Sequence, residues 1–216
     1  MSVKIKLTAN SHQMNEYKFA PVYDFFLSPY ITKIRRKVVE ISHNYGFNTI
    51  LDVCCGTGHQ VKLLRKHGFD ATGVDLNEDM LKQSGKGFIT PPCRKQDASA
   101  LDISDNSFDM STTSLSLHET DPDIAKLIVS EMISVTKPGG YLLLIDYELS
   151  ERTSPFSHKL TSFVEWMVGG DHYRNFRKYN SNGGLEKLTG LKELEIEKEF
   201  VFRRHGLVFK LLKVLG

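Results

Sequence analysis

The chain has 216 residues, which suits one domain, and a composition that is 40% hydrophobic and 25% charged can bury a core. A formal net charge of +2 favours no concentrated basic surface, so we expect no nucleic-acid partner. Apolar runs are too short to span a bilayer, and residues 1–8 lack the apolar core of a signal peptide. We therefore expect a cytoplasmic protein with at most peripheral membrane contact, as a monomer or homodimer.

The three cysteines, Cys54, Cys55 and Cys93, give little indication of redox chemistry. Two of them are neighbours, which rarely pair with each other, and their number is odd. The sequence contains no Cys-x-x-Cys or Cys/His spacing that is typical of zinc. We predict reduced, buried thiols and no metal site.

The first half of the chain alternates predicted helices with predicted strands. Residues 10–45 have helical spacing, which Pro29 interrupts. Gly68 is a typical residue at the end of a helix. The elements predicted after residue 45 are a strand at 48–54, a helix at 59–67, a strand at 70–75, a helix at 78–84 and a short strand at 93–96.

The second half continues the alternation and then changes. Lys137-Pro-Gly-Gly140 is interpreted as a sharp stop after a helix. Arg204-His-Gly206 is interpreted as the turn of a closing hairpin. The predicted elements are strands at 108–117 and 141–146, helices at 123–136 and 156–167, a loop at 180–184, and hairpin strands at 193–202 and 206–214.

Strands that alternate with helices predict a parallel sheet covered on both faces. In such a sheet, ligands bind at the carboxyl ends of the strands. Gly56 and Gly58 follow the first strand and allow a ligand to approach the backbone. Asp75 and Asp97 end the next two strands, where a carboxylate can accept hydrogen bonds from ribose hydroxyls and from an adenine amino group. Together these residues predict a nucleoside site.

The same residues indicate which nucleoside compound is bound. A dinucleotide motif needs a third glycine, but Val61 stands there. Asp52 places a negative charge just before the loop, which suits a cationic ligand better than a pyrophosphate. No phosphate-binding Gly-x-x-x-x-Gly-Lys-Ser/Thr motif is present, which excludes ATP binding of that type.

Five motifs occur in order: Leu51-Asp-Val-Cys-Cys-Gly-Thr-Gly58, Gly73-Val-Asp-Leu-Asn77 with Met80-Leu81, Gln96-Asp-Ala98, Ser107-Phe-Asp109 and Lys137-Pro-Gly-Gly140. Their order and spacing, over residues 20–150, resemble the class I S-adenosylmethionine-dependent methyltransferases. Within this class, the sequence most resembles the small enzymes related to the ubiquinone/menaquinone-biosynthesis C-methyltransferases. The resemblance implies S-adenosyl-L-methionine as cofactor and S-adenosyl-L-homocysteine as product.

The resemblance also implies an α/β fold. The expected architecture is a Rossmann-like doubly wound, mostly parallel seven-stranded sheet, with a C-terminal antiparallel hairpin and an N-terminal helical cap. The chain is then one methyltransferase domain, 1–216. Its predicted parts are a cap at 1–45, a cofactor-binding core at 46–150, a lid or substrate insertion at 151–184 and closing strands at 185–216.

The cofactor-binding residues follow from this resemblance position by position. Cys54 stands where the family usually has glycine, and its small side chain should still allow the loop to close. Asp52 precedes the loop. The expected contacts are Tyr23 as a cover, Gly56 and Gly58 beside the methionine tail, Asp75 on the ribose, Leu76 and Met80 against adenine, Asp97 and Ala98 at the adenine edge, and Ser114 and Leu115 at the amino-acid end.

Methyl transfer from a sulfonium ion is an in-line displacement, and the protein mainly positions the nucleophile and excludes water. His118, after the fourth strand, is a candidate general base. It is equally consistent with a residue that shapes the pocket. The quinone-type relatives tend to have arginine at about this position, which disfavours a quinone. Tyr147 could orient an acceptor hydroxyl, or it could pack under a lid.

Residues 151–180 are rich in aromatic side chains with interleaved basic ones. One interpretation is a helix that packs its apolar face on the sheet. The other is a lid over an apolar or lipid-like acceptor, with basic residues near an anionic head group or membrane surface. The predicted substrate contacts are Trp166, Tyr173 and Arg177.

Two other classes of function remain open from the residues alone. A protein that binds S-adenosylmethionine without transferring the methyl group, acting as a partner subunit, needs the same cofactor residues. An NAD-dependent oxidoreductase is disfavoured by Val61 and Asp97. A small-molecule methyltransferase remains the prediction.

Overall fold

The computed structural model describes residues 20–84 and 90–216, and it describes side chains at residues 31–83 and 90–216. Its first helix, α1 (Ala20–Tyr45), is continuous through Pro29. The predicted interruption at Pro29 is therefore wrong: a proline removes one backbone hydrogen bond, and the neighbouring turns continue the helix. No helix within these ranges is long and apolar enough to cross a membrane.

The strands form a single seven-stranded sheet in the order β3-β2-β1-β4-β5-β7-β6. Strands β1 to β5 pair in parallel, whereas β7 is antiparallel to both β5 and β6. This confirms the predicted fold class. The strands are β1 (Thr49–Val53), β2 (Asp70–Asp75), β3 (Cys93–Lys95), β4 (Phe108–Ser114), β5 (Thr136–Tyr147), β6 (Leu194–Phe202) and β7 (Leu207–Val214).

The remaining helices connect the parallel strands and then cluster after β5. α4 begins with Asp121 as its N-cap, whose side chain accepts from the Asp123 N–H. The helices are α2 (His59–Lys66), α3 (Glu78–Ser84), α4 (Pro122–Val135), α5 (Pro155–Val168), α6 (Gly170–Ser181) and α7 (Gly184–Thr189).

The strand order reverses at β1. From β1 the chain proceeds outward to β2 and β3, and then returns to place β4 on the other side of β1. A reversal of this kind opens a crevice at the carboxyl ends of the strands, where ligands of doubly wound sheets bind. The loop after β1, which carries Gly56 and Gly58, begins at this crevice.

Two predicted boundaries are wrong around the central strands. β4 ends at Ser114 rather than at 117, because Leu115 takes a left-handed φ of 56° that leaves the strand geometry. The sharp stop at Lys137–Gly140 lies inside β5 instead. Gly139, with a φ of 77°, and an irregular register opposite Phe108–Met110 accommodate the two glycines within the strand.

The C-terminal third contains more helix than predicted. The predicted loop at 180–184 reduces to Asn182 and Gly183, because α6 extends to Ser181 and α7 begins at Gly184. Gly183 takes a φ of 90°, which lets the chain turn tightly between the two helices. The closing hairpin of β6 and β7 is confirmed.

Candidate active site

The loop after β1 is held open by backbone geometry. Gly56 and Gly58 have φ values of 54° and 66°, and a Cβ added at Gly56 would meet nothing within 4 Å. Cys54 also takes a left-handed φ, of 58°, which a non-glycine residue rarely adopts. Burial raises the pKa of the Cys54 thiol to about 12, so the thiol is protonated at neutral pH. The loop therefore leaves open space beside the Gly56 backbone, next to a neutral side chain.

Asp75, at the end of β2, connects this loop to the next strand. One carboxylate oxygen accepts from the Gly56 N–H at 2.7 Å, and the other accepts from the Asn77 N–H at 2.7 Å. Burial raises the pKa of Asp75, although the two backbone donors oppose that shift. A carboxylate has about four lone-pair sites, so two remain for a ligand.

Asp52 ends β1 inside the protein, with 4% of its surface exposed. Burial, helped by the nearby Cys93 and Asp75 and opposed by Arg35, raises the pKa of this carboxyl to about 8. Asp52 is therefore largely protonated at neutral pH, unless a cation binds next to it.

The residues predicted to meet adenine lie along the carboxyl ends of β2 and β3. Leu76 is 53% exposed, directly after β2, and Met80 is half-buried on α3. Asp97 accepts from the backbone N–H and the hydroxyl of Ser99, at 2.9 and 2.7 Å. Ala98 is buried. Asp97 therefore stabilises its own loop.

Ser114 and Leu115 lie at the carboxyl end of β4, the strand beside β1. The Ser114 hydroxyl is buried and has no hydrogen-bond partner in the described part of the chain. The Leu115 N–H donates to the Ile145 carbonyl at 2.8 Å. A buried hydroxyl without a partner costs free energy, so it is a natural contact for a bound polar group.

His118 is buried, with 1% of its surface exposed, and is bound to Asp146 at the end of β5. Its Nδ1 lies 2.6 Å from Asp146 Oδ1. Asp146 also accepts from the backbone N–H groups of Leu117, His118 and Tyr147, at 3.0, 3.2 and 2.7 Å. Asp146 therefore fixes both the His118 ring and the turn that carries it.

Three more charged side chains lie near His118: Glu165, His172 and Glu119, whose Oε1 is 3.8 Å from His118 Nε2. Glu165 on α5 is fully buried, and its Oε1 lies 3.8 Å from His118 Nε2. His172 at the start of α6 lies between Glu165 and Glu119, with distances of 2.9 Å from Nδ1 to Glu165 Oε2 and 3.0 Å from Nε2 to Glu119 Oε1. Burial lowers the pKa of both histidines, but the surrounding carboxylates outweigh it and raise the values to about 8 for His118 and about 10 for His172.

Tyr147 is buried and packs its ring against His118, with ring centroids 4.5 Å apart. Its carbonyl accepts a hydrogen bond from the Tyr179 hydroxyl on α6 at 3.1 Å. The structure thus brings two of the predicted site residues, His118 and Tyr147, into one buried cluster with α6.

α5 buries polar side chains and exposes large apolar ones, which is the reverse of an ordinary amphipathic helix. Its buried residues are Ser157, Thr161 and Glu165. The prediction of a helix that packs its apolar face inward is therefore wrong for α5, where Glu165 takes the inward position beside the two histidines, whereas α6 buries Phe176 and Tyr179. The exposed apolar side chains of α5 are Phe156 (72%), Leu160 (52%), Phe163 (54%), Trp166 (60%) and Met167 (41%).

Tyr173 and Arg177 line a cavity of about 410 Å³ along α6, together with Arg174, Lys178 and Ser181. Trp166 lies on α5 and does not line this cavity. Lys178 also forms an ion pair with Asp121, with 3.1 Å between Nζ and Oδ2. The three predicted substrate residues thus lie on two adjacent helices and not in one pocket.

Three residues of the buried cluster are absent from the sites predicted from sequence: Asp146 as a hydrogen-bonding centre, Glu165 and His172. The sequence did contain one signal for Glu165: it is a carboxylate inside an apolar helical pattern, seven residues before His172. The side chain of Tyr23, a predicted cofactor contact, lies outside the described residues.

Comparison with known families gives a match to a methyltransferase domain over residues 50–140. A ubiquinone/menaquinone biosynthesis C-methyltransferase from Cupriavidus necator is 31% identical over 169 residues, which cover 68% of both chains. A demethylmenaquinone methyltransferase from Desulfitobacterium hafniense is 36% identical over 121 residues, 52% of this chain and 47% of that one. This chain therefore spans about half the length of the Desulfitobacterium relative.

Solved structures agree on the fold. An S-adenosylmethionine-dependent methyltransferase from Clostridium acetobutylicum superposes with a TM-score of 0.63 at 18% identity, over 92% of this chain and 98% of that one. A putative methyltransferase from Bacillus halodurans gives 0.57 at 27% identity, over 77% and 71%.

Proposed function

Because the chain belongs to the class I S-adenosylmethionine-dependent methyltransferases, we propose that it transfers the methyl group of S-adenosylmethionine to a small apolar acceptor. S-adenosylmethionine is the methyl donor of this family, and S-adenosylhomocysteine is the product. The observation that carries the proposal is the open loop of Gly56, tied to Asp75 at the reversal of strand order.

The proposed cofactor contacts follow the crevice. Gly56 and Gly58 flank the methionine tail, and Asp75 accepts the ribose hydroxyls with its remaining lone pairs. Ser114 bonds the amino-acid end, which its unpartnered hydroxyl supports. The others keep their expected contacts: Asp52 and Cys54 beside the methionine tail, Leu76 and Met80 on adenine, Asp97 and Ala98 at its edge, and Leu115 next to Ser114.

In the proposed reaction the acceptor attacks the methyl carbon in line with the sulfur. The donor is already activated by its positive charge, so the protein must hold the nucleophile about 3–3.5 Å from that carbon and keep water away. The predicted roles of His118 as a general base and of Tyr147 in orienting an acceptor hydroxyl stay predictions. Both rings are buried together at the carboxyl ends of β4 and β5.

A lipid-like acceptor taken from a membrane surface is supported by the reversed orientation of α5. Five large apolar side chains face solvent on one helix, which is costly unless they meet an apolar ligand or a membrane surface. The adjacent α6 carries Arg177, which suits an anionic head group, while Arg174 and Lys178 are ion-paired with Asp171 and Asp121. The names of the relatives make a quinone-related ring the first acceptor class to test.

Titration calorimetry with S-adenosylmethionine, S-adenosylhomocysteine and NAD tests the cofactor. We expect binding of both adenosyl compounds but not NAD, and affinity at least about 100-fold weaker in Asp75→Ala, because two charged hydrogen bonds and the Gly56 anchor are lost. Asp79→Ala, an exposed acid on α3, is the matched control. Binding of NAD alone would refute the proposal, and cofactor binding without transfer to any acceptor would favour a non-catalytic partner.

Co-sedimentation with phosphatidylcholine and phosphatidylglycerol vesicles tests the α5 surface. Replacing Phe163 and Trp166 together with serine should weaken vesicle binding at least about tenfold, since burying each large side chain contributes about 1.5–3 kcal/mol. Cofactor affinity should not change. Leu127→Ser, at a 50% exposed position on α4, is the control. Equal vesicle binding by all three proteins would rule out α5 as the membrane-facing surface.

A further inference from the structure

Two imidazoles and one carboxylate lie close together in the buried cluster, those of His118, His172 and Glu165. They come from three separate segments: the turn after β4, the last half of α5 and the first turn of α6. One ligand atom from each lies within 4.8 Å of the others. His118 and Glu165 are almost fully buried, and the His172 side chain is 13% exposed. Donor atoms at this spacing are close enough to share a central ion.

Each imidazole is oriented by a second carboxylate through its other nitrogen. Asp146 Oδ1 is 2.6 Å from His118 Nδ1, and Glu119 Oε1 is 3.0 Å from His172 Nε2. Metal-bound histidines are typically held in this way, because the outer carboxylate fixes the tautomer and the ring orientation. With Nδ1–H donated to Asp146, His118 Nε2 faces Glu165, and a metal ion that binds there would displace the proton from Nε2.

The two inward nitrogens lack aligned hydrogen bonds. His118 Nε2 and His172 Nδ1 are buried without a hydrogen-bond partner among residues 20–84 and 90–216. His118 Nε2 is 3.8 Å from Glu165 Oε1, too far for a hydrogen bond. His172 Nδ1 is 2.9 Å from Glu165 Oε2 but is not aligned with it. Ligation of a cation would satisfy both nitrogens at once.

We propose that His118, Glu165 and His172 bind one divalent transition-metal ion, with zinc the best match. Two imidazoles and a carboxylate are a ligand set of catalytic zinc sites and of non-haem iron sites. The ion would also offset the cost of burying Glu165 and Asp146 together. The sequence predicted no metal site, because the three ligands are not spaced as in any short metal-binding motif.

Three protein ligands leave one position of a tetrahedral ion for water or for an oxygen atom of the methyl acceptor. This last role rests on the proposed function. A metal ligand cannot accept a proton at the same nitrogen, so the metal site and the general base are alternative roles for His118 Nε2. Metal binding itself does not depend on methyl transfer.

Zinc titration of the full chain, stripped with a chelator and followed by calorimetry, tests the site. We expect one equivalent of zinc to bind, and affinity at least about 100-fold weaker in Glu165→Gln and His172→Ala. His158→Ala is the control on the same helix, because His158 bonds Thr153 and lies outside the cluster. Asp75→Ala should keep full zinc affinity, which separates failure of this site from failure of the cofactor site.

Cobalt(II) absorption of the unmutated chain provides a second measurement that does not depend on the folding of variants. Nitrogen and oxygen ligation should give visible bands without the charge-transfer band of a thiolate ligand. Cys93→Ser should leave both the spectrum and zinc affinity unchanged. A thiolate band, zinc affinity that falls in Cys93→Ser but not in Glu165→Gln, or the absence of zinc binding by folded protein would overturn the proposal.

Discussion

Replacing Asp146 with alanine should lower the free energy of unfolding by about 3–5 kcal/mol, a large part of the stability of a domain of this size. Asp146 is fully buried and accepts four hydrogen bonds, from the backbone of Leu117, His118 and Tyr147 and from the His118 ring. Alanine leaves all four donors without an acceptor in a site that water does not reach, and each costs about 1–3 kcal/mol before the structure relaxes.

Urea unfolding in the presence of a chelator measures this loss without a contribution from bound metal. Asp105→Ala is the matched control, since Asp105 is exposed and accepts from the Ser134 hydroxyl at 2.6 Å. It should change the free energy of unfolding by less than about 1 kcal/mol. A loss below about 1 kcal/mol in Asp146→Ala would show that the turn carrying His118 does not depend on this carboxylate.

A buried acid at the end of β1 should make stability fall as pH rises. The pKa of Asp52 is about 8 in the folded protein, against an ordinary value of 3.8. Between these values the folded chain keeps a proton that the unfolded chain has lost, so its stabilising contribution is full below about pH 4 and disappears as pH rises through about 8. Each pKa unit corresponds to about 1.4 kcal/mol.

Comparison of the unmutated chain with Asp52→Asn isolates this effect from the other titrating groups. The difference between their free energies of unfolding should change by about 3–4 kcal/mol between pH 5 and pH 8, in favour of Asp52→Asn at the higher pH. Asp70→Asn, at the exposed start of β2, serves as the control. A difference that stays constant across this range would mean that Asp52 titrates near its ordinary value.

The sheet was predictable because its signals are local. The bounds of β2 and α3 match the sequence-based prediction, since Gly68 ends the helix before β2 and the Asn77 side chain caps the start of α3. Lys137–Gly140 was misassigned because glycine and proline usually end strands. Here Gly140 is needed for close approach: a Cβ there would lie 2.8 Å from the Asp109 carbonyl.

Some residues of the candidate site were likewise predictable from the sequence, and others were not. Gly56, Asp75 and Asp97 follow strands, so topology alone places them at one edge of the sheet. The cluster of His118, Glu165 and His172 depends on how α5 and α6 dock, and helical periodicity identifies an apolar stripe without saying which side is buried. A buried carboxylate reverses the usual orientation of α5, and only the tertiary contacts with the two histidines explain it.

The sheet order has a consequence for synthesis on the ribosome. β7 comes after β6 in the chain but lies between β5 and β6. Until residues 207–214 have emerged, β5 is an edge strand whose unpaired backbone groups could pair with another chain. The hairpin of β6 and β7 has local contacts that form quickly, whereas its docking on β5 joins residues 60 to 72 positions apart. The growing sheet therefore stays open at β5 until β7 is added between β5 and β6.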